Sequence, residues 1–201
     1  MNNKQSLTTA IVTNNEDPSK LARVKVKYPW SEGGDESDWM RVTSLMAGKD
    51  RGMYFIPEIK DEVLVAFINA DINYPIVIGS LWSQNDNPPE ANDDGKNNIR
   101  KIRSKSGHEI IMDDSEEGKL EFTTSSGHKI SLNDGDNEKI KIEDSGGSLI
   151  ELDSKSGDIV IESVGNLSLK SGANISIESG ANISIKAGAQ LNLNGSIVNI
   201  N

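Results

Sequence analysis

Near the C-terminal end of the sequence glycine returns every seven or eight residues, at Gly172, Gly180, Gly188 and Gly195. Apolar residues follow at the third and fifth positions after each: Ile175 and Ile177, Ile183 and Ile185, Leu191 and Leu193, Val198 and Ile200. Side chains two apart share one face of a strand, so Ser176, Ser184, Asn192 and Asn199 point to the other. Glycine permits the tight corner that must follow so short a strand. Two inward residues bury about 3–6 kcal/mol of side chain, less than the backbone entropy of ordering about eight residues. One chain cannot hold such a shape alone. Three chains wound about a common axis would close every edge and pool their apolar pairs into one core.

Upstream the same rule runs on a longer period. SGHEIIMDD (106–114), SGHKISLND (126–134) and GGSLIELD (146–153) align with Gly107, Gly127 and Gly147 in register, twenty residues apart. Their apolar pairs are Ile110 and Met112, Ile130 and Leu132, Ile150 and Leu152. Within each unit a second strand follows a turn: KLEF after DDSEEG, KIKIE after NDGDNE, DIVIE after SKSG. The expected trimer core therefore comprises Ile110, Met112, Ile130, Leu132, Ile150, Leu152, Ile159, Ile161, Leu167, Leu169, Ile175, Ile177, Ile183, Ile185, Leu191, Leu193, Val198 and Ile200. With each chain giving its strands in turn to three faces, about eleven strands at ~4.8 Å make a needle roughly 50 Å long.

The first half is of another kind. Short runs rich in β-branched or alternating apolar residues recur at TTAIVT (8–13), ARVKVKYP (22–29), WMRVTSL (39–45), MYFIP (53–57), EVLVAFI (62–68) and PIVIGSLW (75–82). Turn-rich segments separate them, and no stretch sustains a helical period. Five or six short strands in this space predict a closed barrel, since closure removes exposed edges, and a five-stranded OB fold fits best. The fold class expected is all-β: an N-terminal OB barrel, then an intertwined triple-stranded β-helix. The boundaries are 1–88 for the barrel with a short N-terminal segment, 89–104 for a neck and 105–201 for the spike. The Asn-, Asp-, Pro- and Gly-rich stretch SQNDNPPEANDDGKNN marks the change.

Charge and composition exclude several functions. The chain's net charge is −10, and its second part, after residue 103, carries 8 Lys/Arg against 16 Asp/Glu. Nucleic acid and anionic membranes are therefore not expected partners. An OB barrel can stack single strands on aromatics, and Tyr28, Trp30, Trp39, Tyr54, Phe55 and Trp82 are available. The acidic SEGGDESD beside Arg23, Lys25 and Lys27 argues instead for core packing and a protein interface. With no cysteine there is no disulfide, thiolate metal site or thiol nucleophile. The opening MNNKQSLTTA lacks a charged-then-apolar leader, so synthesis in the cytoplasm without a signal peptide is expected.

The combination "ARVKVKYPW…DWMRVTSLMAG…RGMYFIPEIKDEVLVAFINADINYPIVIGSLW" resembles the OB domain of VgrG-type spikes and of phage baseplate assembly protein V. "IRSKSGHEIIMDD" and the glycine-punctuated strands after it are similar to the β-helix of the same proteins. That resemblance implies a homotrimer at the centre of a contractile-injection baseplate, its barrels toward the tail tube and its needle toward the target envelope, which it pierces transiently. VgrG proteins carry a large hub domain before the barrel. Only about twenty residues precede ARVKVKYP here, so a separate hub protein is expected. Some short phage spikes end in a His-x-His iron tip, whereas this sequence has no histidine after His128. The expected partner at the needle end is a PAAR-type tip protein, held by strand addition on Gly195, Ser196, Ile197, Val198, Asn199, Ile200 and Asn201.

Catalytic and metal chemistry finds no frame. His108 and His128, twenty residues apart, could ligate a metal around a three-fold axis, but equivalent outward positions in successive repeats account for them. Asp93/Asp94, Asp113/Asp114 and Glu116/Glu117 read as solvated turns without calcium-loop spacing. No G-x-S-x-G elbow frames a serine. The expectation is a non-enzyme with no cofactor, no metal and no catalytic residue. The competing reading is a monomeric β-solenoid that degrades or binds polysaccharide, which demands larger interior residues and caps at both ends.

Overall fold

The computed structural model describes residues 6–31 and 33–200. The chain divides into two compact units, 1–103 and 104–201.

The first unit is a closed five-stranded barrel. Its strands are β1 (Leu7–Asn14), β2 (Arg23–Lys27), β3 (Met40–Val42), β6 (Glu62–Phe67) and β7 (Pro75–Leu81), with the small hairpin β4 (Ala47–Gly48) and β5 (Arg51–Gly52) between β3 and β6. Around the barrel the order is β1-β2-β3-β7-β6. Neighbours run antiparallel except β3 and β7, which run parallel, Arg41 beside Ile76 and Val42 beside Val77. Strict alternation builds the interior. Ala10 and Val12, Val24 and Val26, Val63, Val65 and Phe67, with Met40 and Val77, are buried as one core, while the residues between them face out. Irregular register between Val12 and Asn14, and between Leu64 and Val65, gives the strands the extra curvature that closure needs.

The loop into β2 is locked electrostatically. Arg23 donates to both carboxylate oxygens of Asp17, each at 2.8 Å. The same carboxylate accepts the N–H groups of Ser19 and Leu21. The Arg23 guanidinium and these donors hold the Asp17 carboxyl well below the usual carboxylate range.

One expected strand is absent. MYFIP forms no ladder, and the pairing upstream of it is the two-residue hairpin, extended only by the Met53 N–H to the Met46 carbonyl. Gly52 makes that hairpin possible: at φ +144 a Cβ would run into the Met46 carbonyl. Ile56 turns in to pack against the core, and Tyr54 and Phe55 are left exposed. The unit ends on β8 (Ile99–Arg103).

The second unit is an antiparallel meander: β9 (Glu109–Asp113), β10 (Lys119–Thr123), β11 (Lys129–Asn133), β12 (Lys139–Glu143), β13 (Leu149–Asp153) and β14 (Ile159–Glu162). Each strand pairs with the next in sequence. This corrects the expectation that successive strands pass to different faces: over 109–162 the turns let the chain fold back on itself, so one chain forms one sheet. The twenty-residue repeat is visible atom by atom in the turns. Ser104, Thr124 and Asp144 each accept, through a side-chain oxygen, the N–H four residues on, at 3.0, 3.0 and 2.9 Å. Gly107, Gly127 and Gly147 then take φ of 92°, 92° and 94°, a conformation glycine enters without strain. Among the described residues no strand follows Glu162.

Candidate interaction surfaces

Register decides which side chains share a face of the meander. Ile110, Phe122, Ile130, Ile142, Ile150 and Ile161 lie directly opposite one another from strand to strand. So do Met112, Leu120, Leu132, Ile140, Leu152 and Ile159. One face is therefore two unbroken apolar columns. Eight of these residues were expected in the core, and the structure brings all eight onto this single face. Leu120, Phe122, Ile140 and Ile142 join them unpredicted. They sit on the return strands β10 and β12, outside the glycine spacing that marked the other pairs, although the alternation in KLEF and KIKIE carried the signal.

The opposite face is largely charged, and it covers itself. Lys129 Nζ lies 2.7 Å and Lys119 Nζ 3.8 Å from the Glu121 carboxylate. Lys139 Nζ lies 2.7 Å from Glu151 and 3.2 Å from Asp153, and Lys141 lies 3.0 Å from Glu143. Glu121 is the buried charged residue of this network. Its burial pushes the carboxyl pKa up, but the hydrogen bond and charge of Lys129, the charge of Lys119 and the Thr123 hydroxyl outweigh this and leave it lowered. The ordinary pattern is thus inverted. Glu121 is shielded, whereas nine of the twelve apolar residues across the sheet are exposed.

Exposure is greater still downstream. Every described residue after Ile161 is exposed, including Leu167, Leu169, Ile175, Ile177, Ile183, Ile185, Leu191, Leu193, Val198 and Ile200. The segment expected to bind a tip protein, Gly195 through Ile200, is exposed throughout, and Asn201 lies outside the described residues.

His108 and His128 do occupy equivalent positions, and they have a task. His108 Nδ1 accepts the Ser125 N–H and His128 Nδ1 accepts the Ser145 N–H, both at 3.2 Å. In the third repeat Ser148 Oγ accepts the Val164 N–H at 3.3 Å. Each side chain clasps the turn of the next repeat. A neutral imidazole accepting at Nδ1 carries its proton on Nε2, so neither nitrogen of the clasped ring offers a metal a lone pair. Among the described residues no group of three or more His, Asp or Glu side chains is arranged to hold a metal. Of the carboxylate pairs, Asp113 ends β9 rather than lying in a turn, and accepts the Ser115 N–H.

On the barrel, Leu45, Tyr54, Phe55 and Trp82 are exposed, Leu45 at 90% and Tyr54 at 78%. Tyr28 and Trp30 stack with centroids 4.8 Å apart, and Lys25 Nζ sits 5.6 Å above the Trp39 ring. Two of the aromatics considered as base-stacking platforms are thus engaged with each other. No helix among the described residues is long and apolar enough to cross a membrane.

Five strands closed in the order β1-β2-β3-β7-β6, with the single parallel contact at β3–β7, define an OB fold. Residues 8–82 match the family described as the type VI secretion system/phage-baseplate injector OB domain. The chain is 35% identical over 102 residues to the type VI secretion system spike protein VgrG2a of Pseudomonas aeruginosa, covering 46% of this chain and 12% of that one. It is 36% identical over 80 residues to the spike protein VgrG3 of Vibrio cholerae, 38% of this chain and 8% of the relative. It is 39% identical over 71 residues to the actin cross-linking toxin VgrG1 of Vibrio cholerae, 33% of this chain and 6% of the relative. The chain thus spans a small fraction of the length of these relatives. Over its barrel the chain is similar to VgrG-type spikes and to the phage-baseplate injector OB domain.

Proposed function

We propose that this chain is the central spike of a contractile injection machine, acting as a homotrimer whose three apolar sheet faces meet on a common axis. The observation that carries the reading is the inverted sheet: two apolar columns exposed opposite a salt-bridged face. An apolar patch of this length is costly in water and needs a cover, and the octads that continue it use the same spacing. Three copies supply that cover from the chain itself, with closed symmetry and no free edge.

The expected trimer core is then the list drawn from the sequence, extended by Leu120, Phe122, Ile140 and Ile142. The exposed apolar residues of the barrel support docking to a separate hub protein at the tail tube. The exposed Ile197, Val198 and Ile200 support capture of a PAAR-type tip protein by strand addition on residues 195–201. The work is mechanical: a rigid needle driven through a target envelope, from a baseplate assembled in the producing cell. No catalysis and no cofactor enter it.

The mass of the purified chain in solution tests this directly. A trimer that stays associated to micromolar dilution supports the spike. A stable monomer with a cooperative melt would overturn it in favour of a self-contained solenoid.

A further inference from the structure

The octads raise a difficulty that their apolar pairs do not solve. SGANISIE (171–178) and SGANISIK (179–186) are identical but for their last residue. If one copy slipped by an octad against its neighbours, isoleucine and leucine pairs would still meet isoleucine or leucine pairs. Register is weakly specified wherever repeats are this alike and rich in glycine. Something else must mark the level.

After Ser163 the chain carries three charged residues, Lys170, Glu178 and Lys186. They fall eight residues apart, at the same place in successive octads, and they alternate in sign. All three are exposed. The Ser176 hydroxyl donates to the Glu178 carboxylate at 3.1 Å. Ser176 stands between Ile175 and Ile177, so in the extended octad the trimer calls for, this bond would hold the carboxylate on the side opposite the isoleucines.

We propose that Lys170, Glu178 and Lys186 form an inter-copy charge column that sets the register of three copies of this chain. The proposal rests on the trimeric reading above. Where each octad runs along one face and the next turns a corner, three-fold symmetry stacks octad n of one copy against octad n+1 of another. Lys170 of one copy then lies beside Glu178 of the second, and that Glu178 beside Lys186 of the third, one strand spacing of about 4.8 Å away. Opposite charges directly across a ladder attract, and like charges there repel. A slip of one octad brings Glu178 beside Glu178, or Lys170 beside Lys186. The column favours the true register and penalises its nearest competitor.

Sorting tests this, because only a charge code makes copies recognise their own kind. The full chain is compared with a variant whose column is reversed, Lys170→Glu, Glu178→Lys and Lys186→Glu. Alone, the reversed chain is expected to form trimers with the parent's thermal midpoint, whereas Glu178→Lys alone lowers the midpoint by several degrees at low salt. Unfolded together and refolded, the two chains, distinguished by mass, are expected to give homotrimers several-fold above the binomial share at low salt. The excess should vanish in about 1 M salt, where the Debye length falls to about 3 Å. A binomial mixture at low salt, with both parents trimeric, overturns the charge column and leaves the trimer standing. A parent chain that is not trimeric overturns both.

Discussion

Placing aspartate at Ile177 should dismantle the assembly, and the size of the effect follows from exposure. In the single chain Ile177 is 67% and Ile185 64% exposed. Removing about two thirds of an isoleucine from water contributes about 1–2 kcal/mol of the roughly 1.5–3 kcal/mol for full burial. Three copies raise this to about 3–6 kcal/mol per trimer, or about two to four powers of ten in the association constant. Ile177→Asp forfeits that contribution and adds three unpaired carboxylates around one axis, several kcal/mol more. Sedimentation across a dilution series, with thermal melts beside it, measures the loss. Ser184→Asp is the control: the repeat places it on the outward side of the octad with Lys186, so it should move stability by less than about 0.5 kcal/mol. A Ile177→Asp chain that stays trimeric with an unchanged midpoint refutes the inward assignment. So does a Ser184→Asp chain that is equally damaged.

Three further outcomes are expected. Glu121→Gln removes a charge bridged by Lys119 and Lys129; because the folded pKa is lowered, the stabilisation is present above the unfolded carboxylate range and is lost as pH falls through the lowered folded pKa, so variant and parent melts should differ near neutral pH and converge only at acid pH below the ordinary glutamate range. Val65→Ala, at a fully buried barrel position, should cost about 2–3 kcal/mol, read as an earlier loss of barrel tryptophan signal in denaturant. His128→Ala should raise amide exchange at Ser145 while leaving Ser125, clasped by His108, unchanged.

The barrel was largely legible because its strands alternate strictly: every buried valine of β2 and β6 is flanked by residues that face out. MYFIP misled because β-propensity reports residues that fit a pleated surface, not a partner strand, and here the Gly52 hairpin had already spent the available pairing. In the second half KLEF and KIKIE read as returning strands, but the glycine spacing that assigns inward residues does not reach them, so Phe122 and Ile142 stay outside the expected core. Which strand pairs with which depends on how turns such as DDSEEG reverse the chain, and residue spacing does not encode that. The imidazole clasps lay beyond reach for a similar reason, since each acceptor and its donor stand seventeen residues apart.

Those clasps also make the second unit's sheet a ruler. The contact from position 108 to 125 is repeated from 128 to 145, and serine takes over from 148 to 164. The acceptor is interchangeable and each turn presents the same donor, so a further copy of residues 125–144 would meet familiar partners at both of its ends. Each such insertion adds two strands, about 10 Å, without disturbing either face of the sheet. Length can then change in whole twenty-residue steps, by duplication or loss of a single segment, and for the spike proposed above a thicker envelope would call for no new fold.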